Sequence, residues 1–255
     1  MVGDNLRNLY AKLPSGVKLV AVSKFHPVSR LMEAYDAGQR LFGENRPQEL
    51  AQKVPQMPSD VEWHFIGHLQ TNKLKLVLPY VSMVQSVDSL HLLEAIDKWG
   101  RDNGRVIDVL LELHLGAEET KHGLDEEEML SIVGAGEGIY PETCGHPRPH
   151  KREGPIACDG RGREATVSGQ IPTPAHFYTI RGLMGMATNT EDEGVIEADF
   201  ARIEALFKRI RAEHPEMADT FTELSIGMSG DWPIAVRHGA TMVRIGTDIF
   251  GEREY

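Results

Sequence analysis

Eight short apolar runs recur along the chain, and stretches with helical periodicity fall between them. The runs are 18–24 (KLVAVSK), 40–45 (RLFGEN), 61–67 (VEWHFIG), 81–87 (VSMVQSV), 107–115 (IDVLLELHL), 179–186 (TIRGLMGM), 221–227 (FTELSIG) and 241–251 (TMVRIGTDIFG). Helices are expected over 4–13, 27–38, 47–54 and 70–79, from Asp88 or Ser89 to about Gly104, and over 125–133, 194–214 and 231–240. Strands alternating with helices specify parallel βα units, and eight such units close a TIM (β/α)8 barrel. An open doubly wound sheet would need a glycine-rich turn after the first strand, and VSKFHPV has no glycine. A single barrel with the first helix packed against it is the expected α/β fold, covering 1–255.

Composition narrows the function classes. The formal net charge is −11, which disfavours nucleic acid and anionic membrane surfaces, since both are met by basic residues. No apolar run approaches the ~18 residues of a membrane span, and MVGDNLRNLYAKLPSG lacks the apolar core of a secretion signal. The two cysteines, Cys144 and Cys158, build no disulfide framework. These features lead us to expect a cytoplasmic protein.

One stretch breaks the pattern. Residues 134–178 hold 8 Gly and 6 Pro in 45 residues, against 17 Gly and 8 Pro in the other 210. Such composition buries too little apolar surface to offset its ordering entropy, so a disordered insertion is expected. Cys144, His146, His150 and Cys158 match no established zinc spacing, and no metal is expected.

Active sites of TIM barrels lie at the C-terminal strand ends. There the sequence places Lys24, then Glu44 and Asn45, then Gly67 and His68, then SIGMSGD and RIGTDIFG. The loops after strands seven and eight are the usual phosphate site of such barrels. GMSGD offers glycines, a hydroxyl and unpaired N–H groups, and IGT offers another glycine and hydroxyl. A phosphate site and a strand-end lysine in one mouth suggest two chemistries. One is a sugar-phosphate enzyme acting through a lysine Schiff base, and the other is pyridoxal 5′-phosphate (PLP) held on the lysine. A partly desolvated lysine loses its proton more readily, as either chemistry needs.

Motifs spread along the chain bear on the choice: AVSK at 21–24, GENRPQE at 43–49, WHFIGHLQTNK at 63–73, EETKHG at 118–123, RGLMGMA at 181–187, LSIGMSGD at 224–231 and VRIGTDIFG at 243–251. In this order they resemble the PLP homeostasis protein family. The resemblance implies a barrel of the alanine-racemase N-terminal type with PLP bound covalently to Lys24 as a Schiff base. It implies a phosphate held against Ser225, Met228, Ser229, Gly246 and Thr247. Arg244 would face the pyridine nitrogen, and Asn45 and His64 would line the mouth. Ile226 stands where relatives carry Met, a volume-conserving change. The resemblance lapses within 134–178, roughly 30 residues longer than the connection in relatives.

An arginine at the pyridine nitrogen disfavours its protonation and weakens the ring as an electron sink. Alanine racemases supply a second base from a C-terminal β-domain, and no such domain is expected to follow the eighth strand here. The resemblance therefore implies a protein that holds, buffers or delivers PLP to PLP-dependent client enzymes, without robust catalysis. The alternative is a PLP-dependent amino-acid racemase using another base. A monomer is expected. His91, His214 and His238 are expected to be solvated, Asp125–Glu128 to be a solvated helix start, and the three tryptophans to be packing residues, while His114, just after strand five, is the less favoured candidate for the mouth.

Overall fold

In the computed structural model, which describes residues 1–116, 123–134 and 176–251, the strands close into a parallel barrel in sequence order. The strands are β1 (Lys18–Val22), β2 (Leu41–Glu44), β3 (Glu62–Phe65), β4 (Met83–Val87), β5 (Ile107–Leu113), β6 (Tyr178–Gly185), β7 (Glu223–Ser225) and β8 (Met242–Ile245). β8 pairs with β1 from Lys18 opposite Met242 to Ala21 opposite Ile245, which closes the barrel. The helices are α1 (Val2–Tyr10), α2 (Val28–Asp36), α3 (Pro47–Lys53), α4 (Leu74–Val77), α5 (Leu90–Asn103), α6 (Glu126–Gly134), α7 (Glu193–Glu213), α8 (Trp232–Arg237) and α9 (Thr247–Phe250).

The two-residue period of a strand separates the molecule into two layers. Leu19, Ala21, Phe42, Trp63, Phe65, Val109, Leu111, Val243 and Ile245 face outward and form one core with the helices. Val20, Met83, Leu110, Met184 and Met242 form a second, smaller cluster that fills the barrel. Continuing the inward line of β1 from Val20 through Val22 reaches Lys24, while Ser23 takes the outward side. On β5 the inward line runs from Leu110 to Glu112, and on β8 from Met242 to Arg244.

Helix ends follow their sequence signals. Ser89 caps α5, its hydroxyl accepting the Leu92 N–H at 3.3 Å, and Gly104 closes it in the left-handed region. Asp125 and Glu128 form a reciprocal capping box at α6, at 2.8 and 3.0 Å. Gly182 on β6 has φ +151, and a Cβ there would stand 1.7 Å from the Glu223 carbonyl oxygen. Only glycine lets β6 and β7 approach this closely.

Some expectations are corrected. The eighth strand stops at Ile245, and 247–250 form the single turn of α9, whose Ile249 and Phe250 are buried. The stretch 70–79 is a 3-10 turn, Thr71–Lys73, leading into the short α4. His238 is not solvated. It is half-buried, with Nδ1 and Nε2 each 2.8 Å from Glu204 and Glu197 of α7, and these carboxylates hold its pKa above the ordinary value despite burial. Trp63 is buried, and Trp99 and Trp232 pack against the core. The disordered insertion expected over 134–178 falls almost wholly outside the described residues, as do Cys144, His146, His150 and Cys158 and most of EETKHG. Among the described residues no helix is long and apolar enough to cross a membrane, and no group of three or more His, Cys, Asp or Glu side chains is placed to hold a metal.

Candidate functional site

A cavity of about 350 Å³ opens at the C-terminal strand ends, at the small end of the ~300–1,000 Å³ range of ligand pockets. Its wall includes Val22 at the end of β1 and Lys24 beyond it, Asn45 beyond β2, Gly67 and His68 beyond β3, Glu112 on β5, Met228 beyond β7 and Arg244 on β8. Of the residues singled out in the sequence, Lys24, Asn45, Met228 and Arg244 thus share one cavity. Asn45 is held by close packing, because a Cβ on Gly67 would lie 2.3 Å from the Asn45 carbonyl oxygen. Its side-chain Oδ1 is buried without a hydrogen-bond partner, an acceptor left for something the cavity takes in.

His64 and Ser225 lie beneath the cavity, not on its wall. Arg244 donates from Nη1 to the Ser225 carbonyl and to Ser225 Oγ, both at 2.7 Å, and from Nη2 to the Gly185 carbonyl at 2.9 Å. Ser225 Oγ donates to Gln85 Oε1 at 2.7 Å. Gln85 Nε2 lies 2.7 Å from His64 Nδ1. Burial drives the His64 pKa down to about 3, with Lys18 adding to it. The imidazole is therefore neutral, Nδ1 accepts from Gln85, and the proton resides on Nε2. Burial also lowers Arg244, to about 10, with Glu112 and Asp231 opposing, so the guanidinium keeps its charge at neutral pH.

Two features went unnoticed in the sequence. Gln85 is the link between His64 and Ser225. Glu112, 5% exposed, puts a carboxyl into the cavity wall, and its pKa is raised to about 7 by burial and by Asp88, against the pull of Arg244. Strand alternation could have flagged both, since each is a polar residue on the inward line of an apolar strand. His114 is not part of the cavity wall.

Ser229, Gly246 and Thr247 are also not part of the wall. Gly246 lies against it, since a Cβ there would stand 3.2 Å from the carbonyl oxygen of the wall residue Val22. Among the described residues, the backbone N–H groups of Ser229, Gly230 and Thr247 find no protein acceptor. Met228 N–H is engaged by Asp231 Oδ1. Unpaired donors in the loops after β7 and β8, a lysine, a fixed cation and an orphaned acceptor fit a small phosphorylated aromatic aldehyde such as PLP.

The closed parallel barrel is of the alanine-racemase type, for residues 2–139 match the family "Alanine racemase, N-terminal domain". A Pyridoxal phosphate homeostasis protein of Haemophilus influenzae is 34% identical over 243 residues, covering 94% of this chain and 86% of that protein. Its counterpart in Homo sapiens is 34% identical over 269 residues, covering 100% and 85%. The solved structure of PipY of Synechococcus elongatus with PLP bound superposes with a TM-score of 0.77 at 31% identity, over 98% of this chain and 100% of PipY. The chain belongs to the pyridoxal phosphate homeostasis protein family.

Proposed function

We propose that this protein binds PLP in the cavity at the barrel mouth, attached through the Lys24 amine, and serves PLP homeostasis by holding and delivering the cofactor in the cytoplasm. The observation that carries this reading is the meeting of Lys24, Arg244 and the unpartnered Asn45 Oδ1 at one cavity. When bound, PLP supplies an aldehyde carbon open to amines and an aromatic ring that withdraws electrons. Lys24 provides the attacking amine. The donors of Ser229, Gly230 and Thr247 receive the phosphate, with the Ser229 and Thr247 hydroxyls beside them. Asn45 orients the ring substituents through its free acceptor. Arg244, pinned by Ser225 and Gly185, is a fixed positive charge, and at the ring nitrogen, where the family resemblance assigns it, it would oppose protonation and weaken carbanion chemistry. Holding PLP and passing it to client enzymes needs none of that chemistry.

Glu112 favours a second reading. A cavity carboxyl that titrates near neutrality is placed as a general base is in many enzymes, and an amino-acid racemase would need one. The test is to load the protein with PLP, confirm retention through dialysis, and incubate it with free amino acids in deuterated water. Retained PLP with no Cα exchange beyond that of free PLP supports holding and delivery. Exchange lost on Glu112→Gln would establish the racemase.

A further inference from the structure

The GENRPQE motif contributes Asn45 to the cavity, yet its two glutamates lie elsewhere. β1 turns Lys24 inward, so Ser23 faces out toward α3. Lys53, on α3 and buried, meets it there. Its Nζ donates to the Ser23 carbonyl at 2.8 Å, to Glu44 Oε1 at 2.7 Å and to Glu49 Oε2 at 3.0 Å. Ser23 Oγ donates to the same Glu44 oxygen at 2.6 Å. Glu49 Oε2 also accepts the Phe25 N–H at 3.0 Å.

The carbonyl just before Lys24 and the N–H just after it are thus tied to one ion cluster. Phe25 has φ +67, the sole positive φ among the described non-glycine residues. A bulky side chain in that region is strained and persists only where its surroundings over-determine it. Arg46 helps, its guanidinium 4.3 Å from the centre of the Phe25 ring and 3.6 Å from Glu49. Burial raises the Glu44 pKa against the pull of Lys53. That of Glu49 falls, because Phe25, Lys53 and Arg46 together outweigh its burial. Buried ion clusters seldom stabilise a fold more than apolar packing would, so stability alone is a weak reason for this one.

We infer that Glu44, Glu49 and Lys53 are positioning residues, a clamp that fixes the backbone on both sides of Lys24 and so aims its amine into the cavity. The inference rests on the reading of Lys24 as the PLP attachment point, but its test does not require PLP. Lysines of the PLP-free protein are competitively acetylated with acetic anhydride and quantified peptide by peptide. Glu49→Ala cuts the tie to Phe25. Lys24 should then acetylate at least threefold faster relative to Lys18 and Lys75. Borohydride trapping of PLP at Lys24 should slow about tenfold, since a small misplacement is costly to a reacting group. Glu49→Gln keeps an oxygen for the Phe25 N–H and should restore both rates to within twofold. If Glu49→Ala does not fold, Glu49→Asp, too short to reach Phe25, gives the same readout. Unchanged Lys24 acetylation, or a rise shared with Lys18 and Lys75, would overturn the clamp. Wild-type protein that traps no PLP at Lys24 while showing the acetylation contrast would sink the functional reading and leave the clamp standing.

Discussion

Arg244 donates to Ser225 Oγ at 2.7 Å beneath the cavity, and this bond begins a chain of donors that all point one way. Arg244 gives to Ser225, Ser225 to Gln85, and Gln85 to His64. Every hydrogen in it has a single consistent direction only if His64 is neutral, as its burial dictates.

Ser225→Ala would leave Gln85 Oε1 without its donor and take an acceptor from Arg244. A buried polar group stripped of its partner costs about 1–3 kcal/mol. Denaturant unfolding should show a loss of that size. Because Ser225 supports Arg244 from below, affinity for PLP and for pyridoxal should fall by the same factor.

His64 makes stability pH-dependent. Its folded pKa of about 3 lies below the unfolded value of 6.5, so its contribution is fully present above pH 6.5 and is lost as pH falls toward 3. The slope approaches about 1.4 kcal/mol per pH unit. His64→Gln should remove that component from unfolding free energies compared at pH 7 and pH 5.5. An identical pH dependence in both proteins would mean that folding does not lower the His64 pKa.

Glu112 acts with the opposite sign. Its folded pKa of about 7 lies above the ordinary 4.5, so its contribution is present below pH 4.5 and is lost as pH rises through 7. In PLP-free protein at pH 8, Glu112→Gln should stabilise by about 2–3 kcal/mol, with little effect at pH 4.5. Thermal melts at both pH values check this.

The phosphate is expected to be a separable part of the affinity. Charge-assisted hydrogen bonds contribute about 1.5–3 kcal/mol each, so Ser229→Ala or Thr247→Ala should weaken PLP roughly ten- to hundredfold. Pyridoxal, which lacks the phosphate, should be indifferent to both changes. Equilibrium dialysis of the two ligands decides it, and equal weakening would assign these residues to support of the fold.

Most of the barrel was legible because its strands are continuous apolar runs, as buried parallel strands must be. The overreach at the eighth strand has a specific cause. Ile249 and Phe250 prolong the apolar run beyond Gly246, and a short run cannot distinguish a strand from a buried helical turn. Lys24 was legible because a strand end and a motif coincide there. The Arg244–Ser225–Gln85–His64 chain was not, since its members come from β8, β7, β4 and β3 and meet only when the barrel closes. The pairing of His238 with Glu197 and Glu204 likewise needs α7 and α8 side by side. The Glu44–Glu49–Lys53 cluster was half visible, as a motif without an assigned role.

The most direct test of the account is where PLP attaches. The protein is loaded with PLP, reduced with borohydride, digested and mapped by mass spectrometry. The account predicts a pyridoxyl group on the peptide carrying Lys24, absent in Lys24→Ala. A pyridoxyl group on Lys73, Lys121 or any other lysine, with Lys24 unmodified, would contradict it.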